Sequence, residues 1–152
     1  MIVRLLWQSM LLLALGAAGG WATWKWNPER PELYLVSEQA GPDEITVAEA
    51  IALEKKDGVL WVDARRRSEY EKGHIPGALL LNVYEWDDLM MPVVHALGDG
   101  PRRPVILYCD AQKCSASKEL RQRMLDFGLG DFDIRVLHGG WPAWKAAGGG
   151  SE

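Results

Sequence analysis

Two cysteines, Cys109 and Cys114, are the only ones in a chain of 152 residues, and they stand five positions apart. They fall in LYCDAQKCSAS (107–117), where an apolar run gives way to small polar residues. Thiols at this spacing can ligate a metal, close a disulfide, supply a nucleophile with a helper, or fill space as small apolar side chains. Two are too few for a disulfide framework or a four-thiolate zinc site. A mixed zinc site with His74 or His138 lacks a second ligand pair at the usual spacing, so no metal is expected.

The chemistry depends on what holds the loop. VILYC (105–109) is the most strand-like run in the chain, and Ala116, Leu120, Met124 and Phe127 then recur at helical spacing from Ser115 onward. Upstream, Thr46 and Glu49 form a capping box for a helix that Asp57-Gly58 stops, and VLWVD (59–63) reads as a strand buried on both faces. Ser68 to Glu71 caps a single helical turn, with Gly73 to close it. Pro76-Gly77 makes a type II turn into a strand at ALLLN (78–82). Asn82 to Glu85 caps a further helix, which Pro92 is expected to kink or restart. IRVL (134–137) is a last strand, and GGWPAWKAAG a turn followed by a closing helix packed through Trp141 and Trp144. Alternating strands and helices imply an α/β fold with a helix-covered parallel sheet.

In such a sheet ligands bind at the carboxyl ends of the strands. Residues 110–114 then form a loop at that edge, between the end of a strand and a helix N-terminus. Backbone N–H groups of loop and helix favour an anion there, and a thiol so placed becomes a nucleophile through a stabilised thiolate. The same position also suits a buried structural cysteine, and position alone leaves both readings open. Asp63 and Arg65 follow their strand at this edge and are expected to form an ion pair that steadies the loops. His138 lies near the end of the last strand and borders the same edge.

WVDARRRSEYEKGHIPGALLLN (61–82), VILYCDAQKCSASKELRQRML (105–125) and VLHGGWPAWKAAG (136–148) resemble, in the right order, three signatures of the rhodanese domain. The resemblance covers roughly residues 45–148. It implies a three-layer fold, a parallel sheet of about five strands with helices on both faces. It also implies transfer of sulfane sulfur through a persulfide on Cys109, without metal or organic cofactor. The amides of Asp110, Ala111, Gln112, Lys113 and Ser115 would hold the negative charge on sulfur, and Arg65 would help hold an anionic donor. Where many active relatives carry Arg after the cysteine and near the loop's end, this chain has Asp110 and Cys114, with Lys113 the only cation. That pattern disfavours thiosulfate and favours a neutral or protein-bound persulfide donor. The related cell-cycle phosphatases need an Arg six residues after the cysteine, where this chain has Ser115. Some rhodanese-like proteins share the Cys-x-x-x-x-Cys spacing. In them Cys114 would be positioned to resolve a persulfide on Cys109, or the pair would act in thiol–disulfide exchange. A non-catalytic, membrane-tethered binding module is the remaining alternative.

The first 26 residues differ from the rest. Leu5 to Trp24 is an uncharged run of 20 residues, with Trp7 near one end and Trp21, Trp24 and Trp26 near the other. Its length and aromatic flanks suit a single-pass membrane anchor better than a cleaved signal peptide. The expected organisation is an anchor over 1–26, a linker over 27–44 with a possible edge strand at Leu33 to Val36, and a rhodanese-like domain over 45–148. The usual arrangement of an uncleaved signal anchor places that domain outside the cytoplasm, for instance in the periplasm. Net charge is −4 with both signs mixed, so no nucleic-acid partner is expected. The expected partners are a small sulfur donor or a protein persulfide, and the membrane. Oligomeric state is not encoded in these patterns.

Overall fold

The computed structural model describes residues 7, 8, 10, 16, 40–99, 101–110 and 115–152. The chain divides into two units, Met1–Leu35 and Val36–Glu152. In the first, Trp7, Gln8, Met10 and Gly16 are helical. Among the described residues no helix is long and apolar enough to cross a membrane. Apart from those four residues, the run from Leu5 to Trp24 that carries the anchor expectation lies outside them, as does the possible strand at 33–36.

The second unit alternates strand and helix throughout: β1 (Glu44–Ile45), α1 (Val47–Asp57), β2 (Leu60–Asp63), α2 (Arg67–Tyr70), β3 (Leu79–Leu80), α3 (Trp86–Gly98), β4 (Val105–Tyr108), α4 (Ser115–Met124), β5 (Ile134–Leu137) and α5 (Gly140–Ala146). The five strands form one sheet in the order β1-β5-β4-β2-β3, every pair parallel. Every residue of β2 and β4 is buried, because helices cover both faces. Alternate residues serve different cores. Leu60, Val62, Val105 and Leu107 face α3 and α4, whereas Trp61, Ile106 and Tyr108 face α1 and α5.

Beyond β2 the chain crosses to β3 on one side, and beyond β4 it crosses to β5 on the other. The crevice between the carboxyl ends of β2 and β4 is therefore the topological switch point, the place where open α/β sheets bind ligands.

Local chemistry explains most boundaries. Thr46 caps α1 with its side chain, and the Glu49 carboxylate accepts from the Thr46 N–H, as a capping box requires. Gly77 takes φ 74°, and the Ala78 N–H closes on the Ile75 carbonyl at 2.9 Å, the type II geometry.

Four expectations need correction. The helical turn at 67–70 is entered through Arg66 with no side-chain cap, so Ser68 lies inside it. The β3 strand is only two residues long, because the Asn82 side chain accepts the Tyr84 and Glu85 N–H groups and turns the chain into α3. Of the two outcomes expected at Pro92, a kink or a restart, the restart does not occur: α3 runs through it from Trp86 to Gly98. Pro92 and Asp88 are both exposed, so water can replace the N–H partner that the proline denies the Asp88 carbonyl. Phe127 is not core: the helical run that follows α4 breaks at Gly128, whose φ is 105°, and Phe127 just before it is 54% exposed with its ring T-shaped against Trp86.

Candidate functional site

Cys109 is the first residue beyond β4 and is 3% exposed. It sits on the α3/α4 face with Val105 and Leu107. Its carbonyl accepts the Trp141 N–H at 2.7 Å, so the start of α5 lies directly against the backbone of the cysteine. That approach explains the glycine pair in the last signature. Gly139 and Gly140 have φ of 75° and 56°, and a Cβ on Gly140 would overlap the Cys109 carbonyl oxygen.

Across the switch point, Asp63 and Arg65 form the expected ion pair, with side chains 0% and 3% exposed. Asp63 accepts from the Arg65 backbone N–H at 2.9 Å and from its guanidinium at 2.7 and 3.0 Å. Arg65 Nη2 also donates to the Gly73 carbonyl at 2.6 Å, Nη1 reaches Asp110 at 3.4 Å, and the guanidinium lies 4.6 Å from the Trp141 ring centroid. Burial works against this charge, but the Asp63 hydrogen bond and charge prevail and raise the Arg65 pKa above the ordinary guanidinium value. One side chain thus ties together the ends of β2 and β4, the turn before β3 and the start of α5. Tyr108 completes this floor. Its hydroxyl accepts the Ile75 N–H at 3.0 Å, while burial first, and the Asp63 charge second, push its pKa well above the ordinary phenol value.

Of the other residues expected at the site, Asp110 is half-exposed beside Arg65, and Ser115 is exposed at the first position of α4. Ala111, Gln112, Lys113 and Cys114 lie outside the described residues. Cys109 is disulfide-bonded, and no free cysteine is present among the described residues. His74 is structural: its ring stacks on Tyr70 at 3.8 Å between centroids and its Nδ1 meets the Tyr70 carbonyl. Among the described residues no group of three His, Cys, Asp or Glu side chains is placed to hold a metal.

His138 does border this edge, held by residues the sequence did not single out. Its Nδ1 lies 2.8 Å from the Glu44 carboxylate, which also binds Lys118 Nζ at 2.7 Å and accepts the Gly41 N–H. The Lys118 hydrogen bond is the main cause that lowers the Glu44 pKa to about 2, with His138 and Gly41 adding to it against partial burial. Glu44 reads as the last residue of a linker because β1 is too short to carry a strand pattern.

The architecture and the cysteine at its switch point define an α/β protein of the rhodanese type. The rhodanese-like domain family matches residues 46–147, and the chain belongs to that family, whose activity is generally sulfur transfer. A helix-turn-helix-type transcriptional regulator of Mycobacterium tuberculosis is 30% identical over 106 residues, 70% of this chain but 43% of the regulator. Among solved structures, protein BH2092 from Bacillus halodurans superimposes with a TM-score of 0.56 at 22% identity, over 72% of this chain and 75% of its own. RPA3614 from Rhodopseudomonas palustris, a protein of unknown function described as a possible tyrosine phosphatase, gives 0.54 at 28%, over 72% and 84%. A thiosulfate sulfurtransferase from Pseudomonas aeruginosa gives 0.53 at 23%, over 75% of this chain and 20% of that enzyme.

Proposed function

We propose that this protein moves sulfane sulfur through a persulfide on Cys109. The observation that carries the reading is the place of Cys109: directly beyond β4 at the switch point, its backbone clamped by α5, with the N-terminus of α4 at Ser115. The Cys109 thiolate attacks the outer sulfur of a donor R–S–SH, forming Cys109–S–SH and releasing RS⁻. An acceptor nucleophile then takes that outer sulfur and regenerates the thiolate. The amides of Asp110 to Ser115 hold the negative charge through both steps, with Arg65 setting the position of Asp110. A carboxylate beside the cysteine disfavours a dianionic donor and suits a neutral or protein-bound persulfide.

A second reading is favoured by the disulfide at Cys109. Cys114 is the chain's only other cysteine, and the reading pairs them. The Cys114 thiolate attacks Cys109 Sγ, the persulfide bond breaks, HS⁻ leaves and the disulfide closes. A cellular dithiol supplies the two electrons that reopen it. Without the sulfur step, the same pair is a thiol–disulfide redox couple.

Residues 1–26 form a single-pass anchor in this proposal and hold the domain outside the cytoplasm, where an oxidising compartment favours the closed pair. Retention of the full chain in carbonate-washed membranes, with a C-terminal reporter active only outside the cytoplasm, is the expected result. Release of the chain or a cytoplasmic reporter overturns that placement.

The chemistry is tested on the reduced full chain with an organic persulfide. Intact mass spectrometry should show a cyanide-sensitive gain of about 32 Da, one sulfur atom, that Cys109→Ser abolishes. In Cys114→Ser the adduct should persist instead of decaying to sulfide. Absence of an adduct together with reversible oxidation of the pair selects the redox couple, and indifference of both readouts to Cys109→Ser removes both readings.

A further inference from the structure

Glu44 and His138 form a pair that the sulfur chemistry above does not use, and the sheet register brings it to Cys109. Leu107 pairs with Val136, and continuing that parallel register by two residues sets Cys109 beside His138. Alternation places His138 on the face of Ile134, which shares the α3/α4 core with Cys109. Because β5 lies between β1 and β4, the strand that leads into His138 has β1, with Glu44, on one side and β4, which leads into Cys109, on the other. Nδ1 is turned to Glu44, and the two ring nitrogens point to opposite sides of an imidazole. Nε2 therefore lies on the side of the ring away from Glu44. It is buried and has no hydrogen-bond partner among the described residues. An ionised carboxylate only accepts, so Nδ1 carries the hydrogen and Nε2 of the neutral ring presents its lone pair.

We propose that in the reduced protein His138 Nε2 accepts the proton of the Cys109 thiol, forming a thiolate–imidazolium pair that Glu44 steadies from the far side of the ring. The thiolate then attacks the donor sulfur, and the imidazolium returns its proton to the RS⁻ that leaves, so that RSH departs and the ring is neutral again. Among the described residues the other charged groups nearby are engaged elsewhere: Lys118 of α4 binds Glu44, Asp110 turns to Arg65, and Asp43 is taken by Arg121. The inference rests on Cys109 being the reacting thiol and not on any particular sulfur donor.

The test is the rate of Cys109 alkylation by iodoacetamide against pH, in the reduced full chain with Cys114→Ser so that one thiol reports. Adding His138→Gln keeps a hydrogen-bonding side chain but no titratable base. Its rate at pH 7 should fall at least about fivefold and converge with that of the parent at pH 10, where the thiol ionises without help. Superimposable rate–pH profiles overturn the proposal. Should His138→Gln not fold, as judged by circular dichroism, Glu44→Gln carries the test. Its expected fall at pH 7 is about twofold to threefold, from loss of the charge that steadies the imidazolium, and an unchanged profile overturns the proposal. Alkylation needs no sulfur donor, so a His138-dependent rate in a protein that forms no persulfide would sink the sulfurtransferase reading while leaving the pair intact.

Discussion

Glu44 shows how much one side chain can depend on its neighbours. Lys118, His138 and the Gly41 amide hold its pKa at about 2 instead of the ordinary 4.5, and its side chain is 15% exposed. A carboxyl depressed on folding contributes stability that is fully present above its unfolded value, near pH 4.5, and that disappears as pH falls towards 2. Glu44→Gln should therefore cost on the order of 2 kcal/mol at pH 6 and almost nothing at pH 2. Urea denaturation of both proteins from pH 6 to pH 2 measures it. A pH-independent difference would mean that Glu44 acts through packing alone. The pair of Asp63 and Arg65 is of another kind, since both groups are buried and each leaves the other uncompensated if removed. Its sequence signal was local, an acid at a strand end with an Arg two residues on. The signal for Glu44 was not local, because its partners are 74 and 94 residues away.

At the scale of elements, what the sequence made legible was whatever is settled within a few residues. The capping box at Thr46, the turn at Pro76-Gly77 and the fully buried strands β2 and β4 follow from chemistry inside one window. The edge strand β1 could not be read, since two residues carry no period, and it exists because the β5 edge needs a partner. The exposure of Phe127 was equally hidden, for the apolar spacing runs on to the residue before Gly128, where a positive φ breaks the helix. Pro92 is the clearest case of tertiary packing overriding a local rule. Trp86, Met90, Val93 and Leu97 bury one face of α3 on both sides of it, which sustains the helix through a residue that disfavours a helix interior by about 3 kcal/mol relative to Ala. Part of that cost is offset by the restricted unfolded chain, by about 0.4–1 kcal/mol. Pro92→Ala should accordingly raise stability by about 2–2.6 kcal/mol, seen as a higher denaturation midpoint with an unchanged slope. A loss of stability would show that the proline's shape is itself needed at that turn.

At the scale of the whole domain, the site is held by contacts between chain segments far apart in sequence, and the C-terminal residues supply one that no motif announces. Glu152 exchanges two backbone hydrogen bonds with His74, its carboxylate accepts the Gly77 N–H, and the Gly150 carbonyl accepts from Trp144 Nε1. These bonds fasten the turn at 73–77, and Gly73 in that turn receives Arg65 Nη2. With the Gly149 N–H donating to the Trp144 carbonyl, five hydrogen bonds at about 1 kcal/mol each are opposed by the ordering of four residues at about 1–2 kcal/mol each, so the tail contributes little to global stability. Its effect should instead be local. Deleting residues 149–152 is expected to lower global stability by less than about 2 kcal/mol, while hydrogen exchange at the Ile75 and Ala78 amides accelerates and that at Val62 and Leu107 in the sheet centre stays as it was. Unchanged exchange at Ile75 and Ala78 would mean that the turn is fixed by Tyr108 and Arg65 alone. Acceleration across the sheet would mean that the tail belongs to the same cooperative unit as the core.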